Sequence, residues 1–177
     1  NCLPQMNNNI TIHKVKNFEK HKQNLIDLIF SMPQSGIKDG LTEKITHSDW
    51  NHSQDRDRKY FDYMLEHIIP DFSKFICNTY GVDKLRFGNA WFQVYEPGDY
   101  HSHHTHPRAN MANVLFIELP DKNLSTSIVG QNKEIISVDV SEGDILSFPA
   151  FLVHSSRINK SNKRKIIIAF NTDLLKV

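Results

Sequence analysis

Ten positions, residues 98–107 (GDYHSHHTHP), hold four of the chain's ten histidines: His101, His103, His104 and His106. Alternate residues of an extended strand share a face. His104 and His106 are therefore expected to project together, and His101 and His103 to form a second pair facing the other way. Neutral imidazole is the commonest protein ligand for transition metals and suits iron, zinc, copper and nickel alike. Two imidazoles on one face make two-thirds of a tridentate site, and His154 is the candidate for the third. A solvated histidine-rich turn is the plainer alternative. It is outweighed because the cluster lies between two apolar strand patterns, residues 90–95 and 111–119.

The elements that must carry these residues change character along the chain. Residues 10–15 alternate as a half-buried strand. Residues 18–31 read as a helix that Asn17 can cap, ended by Met32-Pro33. Residues 34–51 carry the turn signals Ser35-Gly36 and Asp39-Gly40 and read as loop, with one short strand near 43–46. His47 and His52 in this stretch read as surface residues. A second helix starts at about Asp55, with Tyr60, Phe61, Met64, Leu65 and Ile68 at helical spacing. Pro70 interrupts it, and a shorter helix over 71–80 closes at Gly81. From there the pattern is short strands, at 85–95, the histidine segment, 111–119, 125–129, 135–140, 144–148, 151–155 and 165–171. Turn signals at Pro97-Gly98, Pro120-Asp121, Gly130 and Glu142-Gly143 separate them. Many short strands without long helices between them indicate an antiparallel barrel or jelly roll. Such a barrel holds ligands in its mouth, where inward side chains converge.

The expected fold is thus mostly β with N-terminal helices: a double-stranded β-helix (jelly roll, cupin-like) barrel with the helices packed on one sheet. With 177 residues the chain is expected to be a single domain, 1–81 a helical support region and 82–177 the jelly-roll core. A formal net charge of +1 gives no field that would attract nucleic acid or an anionic membrane. Cys2 and Cys77 do not make a disulfide framework, and a reducing, cytoplasmic setting fits. No apolar run approaches the length of a membrane span.

His154 ends the segment EGDILSFPAFLVH (residues 142–154), about fifty residues after the His-x-His pair. That order of strands can bring two neighbouring strands together with their imidazoles facing one interior point. Beyond it, Lys160, Lys163, Arg164 and Lys165 read most simply as a solvated turn. Lys165, however, opens the closing strand, whose inward face could hold Lys165, Ile167, Ala169 and Asn171. A buried cation there can receive the carboxylate of a small ligand.

Taken in order, these pieces resemble the iron(II)- and 2-oxoglutarate-dependent oxygenases, in particular a subgroup of small bacterial and phage proteins. They are Trp91-x-Gln93-x-Tyr95, the Gly98-Asp99-Tyr100 turn, His104-Thr105-His106-Pro107, the strand ending at Leu119-Pro120, residues 142–149 (EGDILSFP), His154-Ser155 and residues 165–171. The first ninety residues carry no part of the likeness. The resemblance implies an iron(II) site at His104, His106 and His154, with 2-oxoglutarate and O2 as cosubstrates. It implies oxidative decarboxylation to succinate and CO2, with hydroxylation of a substrate. Lys165, by its spacing from His154, would pair with the far carboxylate of oxoglutarate, and a one-residue slip would put Arg164 there instead. Trp91, Gln93, Tyr95 and Asn113 would line the cavity.

The sequence departs from the family at two points. Most relatives have His-x-Asp/Glu where this chain has His-x-His, so the site has one negative charge fewer. The oxoglutarate cation is usually an arginine followed two residues later by serine, where this chain has Lys165 and Ile167. Two other readings stand beside the oxygenase. One is a cupin-like three-histidine metalloenzyme that does not use 2-oxoglutarate; the other is a non-catalytic metal-binding jelly roll. The substrate is left open among small molecules, amino acids and protein side chains, and so is the oligomeric state, a homodimer included.

Overall fold

The structure is a computed structural model describing residues 9–33, 35–38, 40–55 and 57–177. Cys2, most of the polar lead-in before Ile10, and Asp39 of the Asp39-Gly40 signal lie outside the described residues. The described residues form eleven strands and three α-helices: β1 (Thr11–Lys14), α1 (Phe18–Phe30), β2 (Ser35–Lys38), β3 (Glu43–Ser48), α2 (Lys59–His67), α3 (Ile69–Tyr80), β4 (Lys84–Tyr95), β5 (Tyr100–His104), β6 (Met111–Glu118), β7 (Thr126–Val129), β8 (Ile135–Ser137), β9 (Asp144–Pro149), β10 (His154–Ser156) and β11 (Lys165–Leu175). The strands form one curled antiparallel sheet in the order β1-β9-β6-β11-β4-β3-β5-β10-β7-β8, with β2 paired to β3.

Strand alternation sorts the interior into two apolar clusters. Ala90, Phe92 and Val94 of β4, Leu115 and Ile117 of β6, and Ile166, Ile168 and Phe170 of β11 share one with Leu25, Ile29, Met64, Phe72 and Ile76 of the helices. The opposite faces of the same strands supply Trp91, Tyr95, Ala112, Val114, Phe116, Ile167 and Ala169 to the other, with Phe148 and Leu152. A one-residue slip of any of these strands would exchange the two sets, so burial on both sides holds the register. The second cluster is the inside of the curl, where the histidines lie.

Several elements differ from the expectation. The stretch read as loop contains β2, and β3 continues to Ser48. Helix α2 begins at Lys59 rather than near Asp55. Pro70 does not interrupt a helix. It sits in the first turn of α3, where its missing N–H costs nothing. Asn17 does not cap α1 with its side chain; it takes a left-handed conformation (φ 52°), which asparagine tolerates better than most residues. Residues 150–152 turn before β10 starts at His154.

Candidate metal centre

Two devices hold the histidine segment in place. At its start Gly98 takes φ 92°, open to glycine and strained for other residues, so the chain can reverse between β4 and β5. Asp99, fully buried, then accepts bonds from Thr46 N (2.8 Å), Thr46 Oγ1 (2.6 Å) and Glu96 N (2.9 Å), tying the turn to β3. At its end His106 N donates to Ala150 O at 3.0 Å, anchoring the segment beside the turn that leads to β10. In β10, His154 pairs directly with His104 of β5.

His104, His106 and His154 come together, one ring nitrogen of each within 4.8 Å of the others. Their opposite nitrogens are all committed. His104 Nδ1 lies 2.7 Å from Ser102 O, His154 Nδ1 3.0 Å from Leu152 O, and His106 Nδ1 2.7 Å from Asn171 Oδ1. Carbonyl oxygens only accept, so each Nδ1 carries the proton and each Nε2 presents a bare lone pair. The Nε2 atoms of His106 and His154 face each other at 3.1 Å.

Protonation does not relieve this crowding easily. Burial holds His154 down to about 2 and His104 to about 4, and it lowers His106; the neighbouring imidazoles add to the effect at His104 and His154. A cation at the shared point satisfies all three lone pairs, so the donor set fits a transition metal.

An outer cavity of about 660 Å³ opens onto the trio. Trp50, Trp91, Gln93, Glu43, His101 and Asn171 are among its lining residues. A narrow inner recess of about 30 Å³ leads from the histidines past Gln93, Tyr95, Thr126 and Ser156 to Lys165. The register Lys165↔Tyr95, Ile167↔Gln93 and Ala169↔Trp91 puts these residues on one face. Lys165 is 2% exposed. Its ammonium donates to Leu124 O at 2.5 Å and Ser156 Oγ at 2.9 Å, and sits 4.9 Å from the centre of the Tyr95 ring. Among the described residues no carboxylate lies within ion-pairing distance of it. Burial pulls its pKa down to about 7. Tyr95 donates to Gln93 Oε1 at 2.6 Å, and burial pushes its phenol upward, so it stays neutral.

Two residues expected near the cavity lie elsewhere. Arg164 points to the other side of β11 and forms a two-pronged pair with Glu118 at 2.8 and 3.1 Å. Asn113 is on the helix-facing side of β6, where its amide donates to Phe170 O and Thr172 Oγ1 and accepts from Ser147 Oγ. His47 is half-buried and edge-on to Phe30 rather than simply a surface residue.

His101 departs from the alternation argument. The β5–β10 register pairs His154 with His104 and Ser156 with His101, which leaves one extra residue on β5. Such a bulge brings His101 to the face of His104. The two rings stack with centroids 3.7 Å apart and planes at 13°. His103 is exposed. Asn171 as the partner of His106, and Glu43 beside His101, are functional contacts that residue spacing did not mark. Asn171 was legible as part of the inward face of β11, whereas nothing in the spacing of Glu43 links it to the site.

Three bare imidazole nitrogens converging inside a curled antiparallel sheet make a candidate metal site. Residues 89–171 match the family model described as "Putative 2OG-Fe(II) oxygenase". Over this segment, just under half of its length, the chain is similar to the 2-oxoglutarate- and iron(II)-dependent oxygenases.

The fold agrees. An oxidoreductase of the 2OG-Fe(II) oxygenase family from Burkholderia pseudomallei is similar at TM-score 0.73 and 9% identity, over 93% of this chain and 85% of that one. A Pseudomonas putida prolyl-4-hydroxylase is similar at TM-score 0.67 and 10% identity, over 95% and 94%. By sequence, the chain is 33% identical over 97 residues to a germin-like protein of Arabidopsis thaliana, germin-like protein subfamily 2 member 1. That match covers 55% of this chain and 40% of the relative, so the chain spans about two-fifths of the length of the curated relative it matches.

Proposed function

We propose that the protein is an iron(II)- and 2-oxoglutarate-dependent hydroxylase. Its metal would be held by His104, His106 and His154, and the far carboxylate of its cosubstrate by Lys165. One observation carries this reading: a recess with three bare imidazole nitrogens at one end and a buried ammonium without a carboxylate partner at the other. A dicarboxylate that chelates a metal through its 2-oxo acid satisfies both ends, since a buried charge is costly until it is paired.

When bound, iron(II) supplies the oxidising chemistry, in which 2-oxoglutarate, O2 and a substrate C–H yield succinate, CO2 and the hydroxylated substrate. The chain's own residues do the positioning. Ser102, Leu152 and Asn171 orient the ligand imidazoles and set their tautomers. Ser156 holds the ammonium by its hydroxyl and the Tyr95 ring covers it, while the ammonium supplies a point charge rather than arginine's planar fork. Trp91 and Ile167 keep the passage between metal and cation apolar.

In this reading the curled sheet is a double-stranded β-helix with α1–α3 packed on one face, and residues 1–177 act as one unit. The substrate is a small molecule, an amino acid or a protein side chain, reached through the outer cavity. The protein works in the cytoplasm; among the described residues no helix is long and apolar enough to cross a membrane.

The test is succinate release. Purified protein is reconstituted anaerobically with Fe(II), then given 2-oxoglutarate and O2. Slow formation of succinate without added substrate, lost in His154→Ala and Lys165→Met, supports the proposal. Metal binding with no 2-oxoglutarate binding overturns it and favours the three-histidine metalloenzyme that does not use 2-oxoglutarate.

A further inference from the structure

The ligand set is three neutral imidazoles, so a bound dication would keep its full charge in a largely buried site. One acid of the outer cavity reaches it through a fourth histidine. Glu43 opens β3 and is the register partner of His101 on β5. Its Oε2 lies 3.2 Å from His101 Nε2, and both side chains are a quarter exposed or less. The β5 bulge lays the His101 ring on His104 at 3.7 Å, nearly parallel. Carboxylate, imidazole and ligand imidazole thus form one connected stack beside the metal point.

We propose that Glu43 and His101 are positioning residues that return to the three-histidine centre the negative charge its ligands lack, and so set its metal affinity. The proposal rests on the metal reading above.

Coordination to a dication draws electron density from the His104 ring. A stacked imidazole whose N–H is held by a carboxylate is electron-rich and offsets that loss. The carboxylate also adds its own field to a site where burial limits screening. The other acid of the outer cavity, Asp173, is engaged by Arg86 at 2.8 Å and by Asn110 N at 3.0 Å. Outer partners of metal ligands are typically worth 10- to 100-fold in affinity. Glu43 acts through a stacked ring rather than a bond to a ligand, so the lower end is expected.

Mn(II), which is stable in air, serves as the probe, titrated by electron paramagnetic resonance of the free ion. The proteins compared are the unmutated chain, Glu43→Gln, His101→Phe, the double variant and His154→Ala. Glutamine keeps the size and the acceptor of Glu43 and removes only its charge. We expect about tenfold weaker binding in each single variant and no further loss in the double. Apo melting temperatures should stay close to that of the unmutated chain, separating an effect on the metal from an effect on folding. Unchanged affinity in Glu43→Gln, or fully additive losses in the double variant, overturns the proposal. Retention of Mn(II) binding in His154→Ala would instead overturn the metal reading itself, so the two failures are distinguishable.

Discussion

Replacing Lys165 with methionine should stabilise the protein without ligand and abolish 2-oxoglutarate binding. Burial brings the ammonium from 10.5 to about 7. At 1.36 kcal/mol per pH unit, that displacement corresponds to about 4–5 kcal/mol at pH 7 and below. Methionine has a similar length and no charge, so it escapes that penalty. It also leaves Leu124 O without its donor, a cost of about 1–3 kcal/mol, whereas the Ser156 hydroxyl keeps a partner in Tyr95. The net gain is about 2 kcal/mol, or roughly 4–8 °C in melting temperature for a chain of this size.

The pH dependence has a definite sign. The folded-state pKa lies below the unfolded one, so between about pH 7 and 10.5 the folded protein binds fewer protons than the unfolded chain. The stability of the unmutated protein therefore rises with pH across that window, and the advantage of Lys165→Met shrinks as it does. Oxoglutarate binding runs the other way. It needs the charged ammonium, so affinity should fall by up to about tenfold per pH unit above 7, with uptake of about one proton. Melting curves from pH 6.5 to 9.5, and calorimetry of oxoglutarate with the Mn(II)-loaded protein in two buffers of different ionisation enthalpy, test both limbs. A Lys165→Met protein that is less stable at pH 7, or that binds 2-oxoglutarate as before, would refute the reasoning.

The other predictions concern the metal and its surroundings. His104→Ala and His154→Ala should each abolish Mn(II) binding, whereas His101→Ala should still fill at saturating metal; equilibrium dialysis decides it. Asn171→Ala removes the acceptor that orients His106 and should weaken metal binding by roughly 10–100-fold, visible in the same titration. Arg164→Ala breaks a partly exposed pair with Glu118 and should cost about 0.5–1 kcal/mol in urea denaturation while leaving 2-oxoglutarate affinity unchanged. A loss of that affinity would mean that β11 presents the other face.

Much of the site was legible in the sequence because it depends on period and order. Histidines two apart share a strand face, and the lone His154 follows at a distance that adjacent strands can close. Lys165 lies an even number of residues from Ile167, Ala169 and Asn171, so it shares their inward face, and Arg164, one residue earlier, must point the other way. The same rule holds for Asn113, an odd step from Ala112 and Val114, but its strand phase is evident only once both clusters are seen. The helices, too, were visible as apolar periods, and α1 starts at Phe18 as expected; what side-chain patterns do not encode is the left-handed backbone of Asn17 and the place of Pro70 inside the first turn of α3.

Tertiary structure alone decided what alternation could not express. A one-residue bulge between β5 and β10 turned His101 onto His104, against the regular two-residue period. Pairing of β5 with the short strand expected near 43–46 brought Glu43 to His101, although the two are far apart in sequence and share no pattern. The bare Nε2 atoms depend on carbonyls of Ser102 and Leu152 and on an amide 65 residues from His106. Sequence period reports the face on which a side chain lies. Which partner meets it there is set by register between strands, and a single inserted residue changes that without altering any residue's type.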